Sequence, residues 1–109
     1  MISKGNLQNV LNQAKQVQEK LEAAQAELEK LEIEGQAGGG MVVVKVNGKQ
    51  ELISIRIDPQ VLREDVEMVE DLVVAAVNQA MTLAAEESQK RMTAISGGLL
   101  GQLGNIKLT

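Results

Sequence analysis

The side chains that could do chemistry in this chain are carboxylates, amines and a scatter of hydroxyls, because it contains no His, no Cys and no Tyr. Nucleophilic catalysis needs a hydroxyl, thiol or amine beside a base that can take its proton, and no serine here has such a neighbour. Paired carboxylates have raw material in 15 Asp and Glu residues, yet no pair stands apart from an ordinary charged helix surface. Glu64, Glu67 and Asp71 share a helical face that a divalent ion could draw together. Without His or a further ligand cluster, a solvated acidic face is the better reading. Gly38-Gly39-Gly40 has the composition of a phosphate cradle but precedes a strand, whereas a cradle precedes a helix N-terminus. The residues therefore predict a binding protein rather than an enzyme, with no cofactor, no metal site and no small-molecule substrate.

The elements that carry these residues fit one domain of 109 residues. With no aromatic residue, its core is aliphatic and thin, which favours further burial by oligomerisation. The lack of Cys gives no reason to expect an oxidising compartment, and no apolar run approaches the ~20 residues of a membrane span. A cytoplasmic protein with no membrane partner is expected.

The most legible stretch is Met41 to Pro59, MVVVKVNGKQELISIRIDP, which alternates about Asn47-Gly48. That dipeptide predicts a β-hairpin with a two-residue type I′ turn. Pairing Val46 with Lys49 places Val42, Val44, Val46, Ile53, Ile55 and Ile57 on one face, to be buried, and Met41, Val43, Lys45, Leu52, Ser54 and Arg56 on the other. Glu32 to Ala37 reads as a further short strand, and the glycine turn joins it to the hairpin, giving a three-stranded antiparallel meander.

Upstream, Leu7, Val10, Ala14, Val17, Leu21, Ala24, Leu28 and Leu31 follow spacings of three and four, the seam of a helix lying along another helix. Asn6 is a plausible N-cap, and the helix should run to about Leu31 and project beyond the sheet. Downstream, Asp58-Pro59 ends the third strand, Gln60 to Arg63 forms a single turn, and a second long helix runs from Glu64 or Asp65 to about Ile95. The fold class is α+β: long N-terminal helix, three-stranded antiparallel sheet, long C-terminal helix, as a single domain over residues 1–95. Residues 96–109, SGGLLGQLGNIKLT, read as a flexible glycine-containing tail.

Leu72 to Val77, followed by Ala80, Met81, Leu83, Ala84 and Ala85, is apolar on nearly every side, more than one sheet and one helix of the same chain can cover. A homodimer is predicted, with Val74, Val77 and Met81 at the interface and the Val43–Leu52 pair of the outer hairpin face adding to it.

The net charge is -4 and the pI about 4.8, but charge is unevenly spread. Residues 1–20 hold Lys4, Lys15 and Lys20 against Glu19, whereas 58–71 are strongly acidic. Helix one runs into the sheet and helix two runs out of it, so the start of the first and the end of the second lie together. Both are net positive, contributing Lys4, Lys15, Lys20, Lys90 and Arg91, with Lys107 in the tail. With no aromatic platform for stacking bases, duplex DNA held through its phosphates is the nucleic-acid partner that stays open. On charge alone, ordinary solvated lysines fit equally well.

The run EIEGQAGGGMVVVKVNGKQELISIRIDPQVLREDVEMVEDLVVAAVNQA resembles the signature of the YbaB/EbfC family of bacterial nucleoid-associated proteins. Glycine turn, Val-rich strand, Asn-Gly hairpin, Ile-Asp-Pro and Glu-Asp-Leu-Val-x-Ala-Ala-x-Asn occur in the same order. The preceding AKQVQEKLEAAQAELEKLE and the short tail also fit. The resemblance implies a cytoplasmic, nucleoid-associated homodimer whose helical arms extend like tweezers from a central sheet. It also implies duplex-DNA binding, with roles in nucleoid organisation and gene regulation. Two other readings compete: a prefoldin-like coiled-coil chaperone, against which the all-round apolar second helix argues, and a protein-interaction adaptor.

Overall fold

The computed structural model describes residues 4–104. Helix α1 (Lys4–Lys30) is carried by the three-four seam and closes with Lys30 in its last turn, where a cation favours the helix dipole. It starts ahead of the predicted Asn6 cap. Strand β1 (Ile33–Ala37) leads into the triple glycine, whose φ values of 64°, 67° and 91° lie in the left-handed region that side chains resist. Strands β2 (Val42–Val46) and β3 (Leu52–Ile57) complete an antiparallel sheet in the order β1-β2-β3. Asp58 caps a 3₁₀ helix at Pro59–Arg63, its side chain accepting from the Gln60 N–H, and α2 (Val66–Gly104) follows.

The hairpin turn differs from the prediction. Val46 pairs with Leu52, not Lys49. The Asn47 N–H donates to the Glu51 carbonyl (3.0 Å), the Gln50 N–H donates to the Asn47 carbonyl (3.1 Å), and Gln50 takes the left-handed φ, 62°. This is a type I turn closed by a left-handed residue, a three-residue loop. Two local commitments select it. The Asn47 carboxamide oxygen accepts from the Lys49 and Glu51 N–H groups (2.9 and 3.0 Å) while its nitrogen donates to the Glu51 carboxylate (2.8 Å). The Gly48 N–H donates to the Leu28 carbonyl at 2.7 Å, and a Cβ there would lie 2.8 Å from that oxygen. Gly48 is thus required for the close approach of α1 rather than for a positive φ. Asn47 is buried, so Asn47→Ala strands two backbone donors and is expected to cost about 2 kcal/mol, read from the urea midpoint.

The new register keeps Val42 opposite Ile57 and Val44 opposite Ile55, but leaves Ile53 as the extra residue of a bulge between Lys45↔Ser54 and Val46↔Leu52. The predicted burial holds for Val42, Val44 and Val46, and fails for Ile53 and Ile55, which are 48% and 42% exposed. The cause is coverage: α2 packs across β1 and β2, so the edge strand β3 has no helix over it.

The core is Val42, Val44 and Val46 against Ala76, Ala80 and Ala84, with Leu72, Val73, Val77 and Met81 packed round them. The alanines recur every four residues and form a flat stripe. Gly35 lies under it: a Cβ at that position would be 2.4 Å from the Ala76 carbonyl oxygen and 2.5 Å from the Ala80 nitrogen. Glycine and alanine together let helix and sheet backbones touch.

Two expectations about α2 need correction. The helix continues through Gly97 and Gly98 to Gly104, where a tail was expected from residue 96. Glycine costs about 1 kcal/mol relative to Ala in a helix, which a helix already nucleated over thirty residues upstream absorbs. Residues 105–109 of that expected tail lie outside the described ones. Also, α2 is long and apolar enough to cross a membrane by length and composition alone, contrary to the expectation of no such segment. Its alanine face is packed on an open-edged sheet, however, and open edges leave unpaired backbone groups in lipid.

Candidate nucleic-acid interface

The described residues span 74 × 23 × 16 Å, an elongated body in which α1 and the distal half of α2 project from the sheet. Ala24 and Leu28 are the buried residues of α1. The two helices are tied by Arg91, whose guanidinium donates to Glu27 of α1 (3.2 Å) and to Glu87 of its own helix (3.0 Å). The base of α1 is tied to the hairpin turn by Lys49 and Glu29 at 2.7 Å, and the ammonium's hydrogen bond and charge hold the Glu29 carboxyl below its usual pKa. A lowered carboxylate pKa stabilises the fold above the unfolded-state pKa, and that contribution is lost as pH falls through the folded-state pKa. Lys49→Gln should therefore reduce stability at pH 7 and leave it unchanged at a pH below both values, as acid-series unfolding would show.

The predicted cationic residues separate into three groups. Lys15 and Lys20 stand exposed along α1 and Lys90 along α2; among the described residues they form no ion pair. Lys4 is the first described residue of α1. Lys90 and Arg91 do not mark the end of an arm, because α2 runs on to Gly104, and Arg91 is neutralised by its two carboxylates. Lys30, which lies in an acidic stretch and was not singled out, is also exposed and unpaired among the described residues. At the opposite end, Glu64, Asp65, Glu67, Glu70 and Asp71 are all exposed, giving a molecule with an acidic base and arms on which lysines and glutamates balance. Glu64, Glu67 and Asp71 do not gather into a metal-holding group; among the described residues no such cluster occurs.

The predicted interface residues also divide. Val74 is 57% exposed and Leu52 50%, while Val77 and Met81 are half-buried against the chain's own core. Val43 and Leu52 do not oppose one another: Val43 faces Arg56, and Leu52 faces Val46. Near Val74 an open apolar groove of about 580 Å³ is lined by Leu62, Val66, Val69 and Val73 and flanked by Glu64 and Glu70. Ile53 and Ile55, assigned from their alternation to the chain's own core, join the uncovered apolar surface. Alternation specifies the face but not whether a helix reaches the edge strand.

A small meander with two helices extended from it as arms, charged along their outer faces and carrying a broad uncovered apolar surface at the base, is the build of an α+β binding module. The YbaB/EbfC DNA-binding family model matches residues 4–99, and the chain belongs to that family, one of DNA-binding proteins rather than enzymes. It is 44% identical over 102 residues to a nucleoid-associated protein of Chlorobium phaeobacteroides, covering 94% of this chain and 91% of the relative. It is 49% identical over 96 residues to one from Clostridium perfringens, covering 87% and 86%. The crystal structure of an uncharacterized Helicobacter pylori protein superposes with a TM-score of 0.67 at 25% identity, covering 85% of this chain and 95% of that one.

Proposed function

We propose that the protein binds duplex DNA as a homodimer in the bacterial nucleoid, gripping backbone phosphates with its helical arms, and that it thereby helps organise the nucleoid and regulate genes. The observation that carries this reading is the family membership joined to the charge layout. Lys15, Lys20 and Lys90, unpaired among the described residues, stand on the projecting helices, and the cluster Glu64, Asp65, Glu67, Glu70 and Asp71 lies at the far end. Lys4 adds a further cation at the start of α1, and Arg91 serves the arms by tying them together. With no aromatic residue to stack bases, affinity comes from counterion release and falls steeply with salt, with little dependence on sequence.

The homodimer reading is supported by exposed apolar side chains on helix and sheet, Leu62 and Val66 at 68%, Val74 at 57% and Leu52 at 50%, with Val43, Val77 and Met81 half-buried. Exposed apolar surface such as the groove beside Val74 marks a site for a partner, and a two-fold copy supplies the same surface. Light scattering at micromolar concentration should give twice 11.7 kDa, and a gel-shift titration on arbitrary duplex should show binding that weakens with salt. A well-folded monomer, or no binding even at low salt, would contradict it.

A further inference from the structure

An asparagine followed by glycine readily loses its side-chain ammonia, because glycine has no Cβ to keep its nitrogen away from the neighbouring carboxamide. In this chain both residues of that dipeptide, Asn47 and Gly48, are buried, and both reacting groups are held. The Gly48 nitrogen must give up its proton to attack, and it donates that proton to the Leu28 carbonyl at 2.7 Å. The Asn47 carboxamide must swing its carbon onto that nitrogen. It is fixed instead by the Lys49 and Glu51 N–H groups and by the Glu51 carboxylate.

One element supplies this cover. Leu28, 2% exposed, seats the end of α1 on the hairpin turn, its side chain and backbone lying against the position of a Gly48 Cβ. Two ion pairs hold the helix there, Glu29 with Lys49 at 2.7 Å and Glu27 with Arg91 at 3.2 Å. Among the described residues the rest of α1 buries only Ala24. A helix anchored through one end opens at lower cost than the core does.

We propose that Asn47 is a latent deamidation site, silent while α1 is docked and released when the base of α1 lifts from the hairpin turn. In the open state hydroxide takes the Gly48 amide proton, and the nitrogen bonds to Cγ of Asn47. The Cγ–Nδ2 bond breaks and that nitrogen, protonated by water, leaves as ammonia. The cyclic imide then takes up one water at either carbonyl, giving aspartate or isoaspartate at position 47. Neither product restores the docked turn. Aspartate sets a second carboxylate where the Asn47 nitrogen donated to Glu51 at 2.8 Å, and isoaspartate lengthens the backbone ahead of the N–H that meets Leu28. The reaction thus leaves α1 undocked. Because α1 carries Lys15 and Lys20, it also disables an arm, a consequence that rests on the DNA-binding reading above.

Peptide mapping by mass spectrometry, on the full chain incubated at neutral pH without DNA, reads the reaction. Asn47 should convert at least about tenfold more slowly than in a free peptide of residues 44–51. Leu28→Ala should restore most of that factor while helical circular dichroism is kept. Val61→Ala, at an equally buried residue beyond the other end of β3, should leave conversion slow. Peptide-like conversion in the unmodified protein would overturn the proposal. Equal acceleration by both variants would overturn it too, because exposure would then follow unfolding of the whole chain. Should Leu28→Ala fail to fold, Glu27→Gln with Glu29→Gln removes both ionic ties and leaves the core untouched. Conversion should then rise about threefold, and an unchanged rate would overturn the proposal. Duplex binding is scored separately: Asn47→Asp should weaken it, and unchanged affinity would overturn the consequence for the arm alone. If the unmodified protein binds no duplex, the DNA-binding reading fails and the deamidation result stands.

Discussion

Gly35→Ala is expected to destabilise the protein by about 3 kcal/mol or more, enough to unfold much of the population, because the added methyl has nowhere to go. A Cβ at that position would overlap two backbone atoms of α2, the Ala76 carbonyl oxygen and the Ala80 nitrogen, and also the Ala80 Cβ. Flexible side chains can turn aside from an overpacked site, but here the helix itself must lift from the sheet. Lifting it opens the contact between Ala76, Ala80, Ala84 and Val42, Val44, Val46, the whole buried cluster. Urea unfolding of the variant beside the unmodified protein checks this. A loss below about 1 kcal/mol would mean that α2 does not lie this close to β1.

Ile55→Asp combined with Val74→Asp is expected to convert the proposed homodimer to a folded monomer. In one protomer these side chains are 42% and 57% exposed, so each aspartate is solvated in the isolated subunit and costs the fold little. Across the proposed two-fold interface the pair places four carboxylates in an apolar surface, two of them, at position 74, beside the groove that already carries Glu64 and Glu70. Leaving an unpaired charge buried there costs several kcal/mol, and weakening of dimerisation by at least a thousandfold, about 4 kcal/mol, is the expected scale. Sedimentation should report one chain mass with unchanged helical circular dichroism. A variant that stays dimeric would place the interface elsewhere.

Much of the fold is legible in the residues because local chemistry and tertiary packing agree there. The triple glycine and the Asp58-Pro59 stop act within a few residues and appear where they are expected, and the three-four spacing marks the extent of α1, although among the described residues only Ala24 and Leu28 of its seam are buried. The departures arise where a distant element intervenes. Asn47-Gly48 favours one turn in isolation, but α1 seizes the Gly48 N–H and excludes a Cβ there, so the turn becomes longer. Ile53 and Ile55 alternate like core residues, yet α2 stops short of the edge strand. Gly97 and Gly98 weaken a helix locally but do not end one that is already long. That last difference moves Lys90 and Arg91 from an arm end to mid-arm and leaves Arg91 as a tie between helices. Gly35 could have been found from sequence: a glycine inside a strand beside alanines at 76, 80 and 84 signals a close helix–sheet approach.

The central claim, that the helical arms hold duplex DNA by its phosphates, is tested most directly by the salt dependence of binding with and without the arm lysines. Lys15, Lys20 and Lys90 are exposed and unpaired among the described residues, so their replacement by Gln leaves the fold intact. The unmodified protein should bind arbitrary duplex with an affinity that falls linearly on a logarithmic salt scale, and the triple variant should lose about three from that slope per protomer. An unchanged slope, or no binding by the unmodified protein even at low salt, would contradict it.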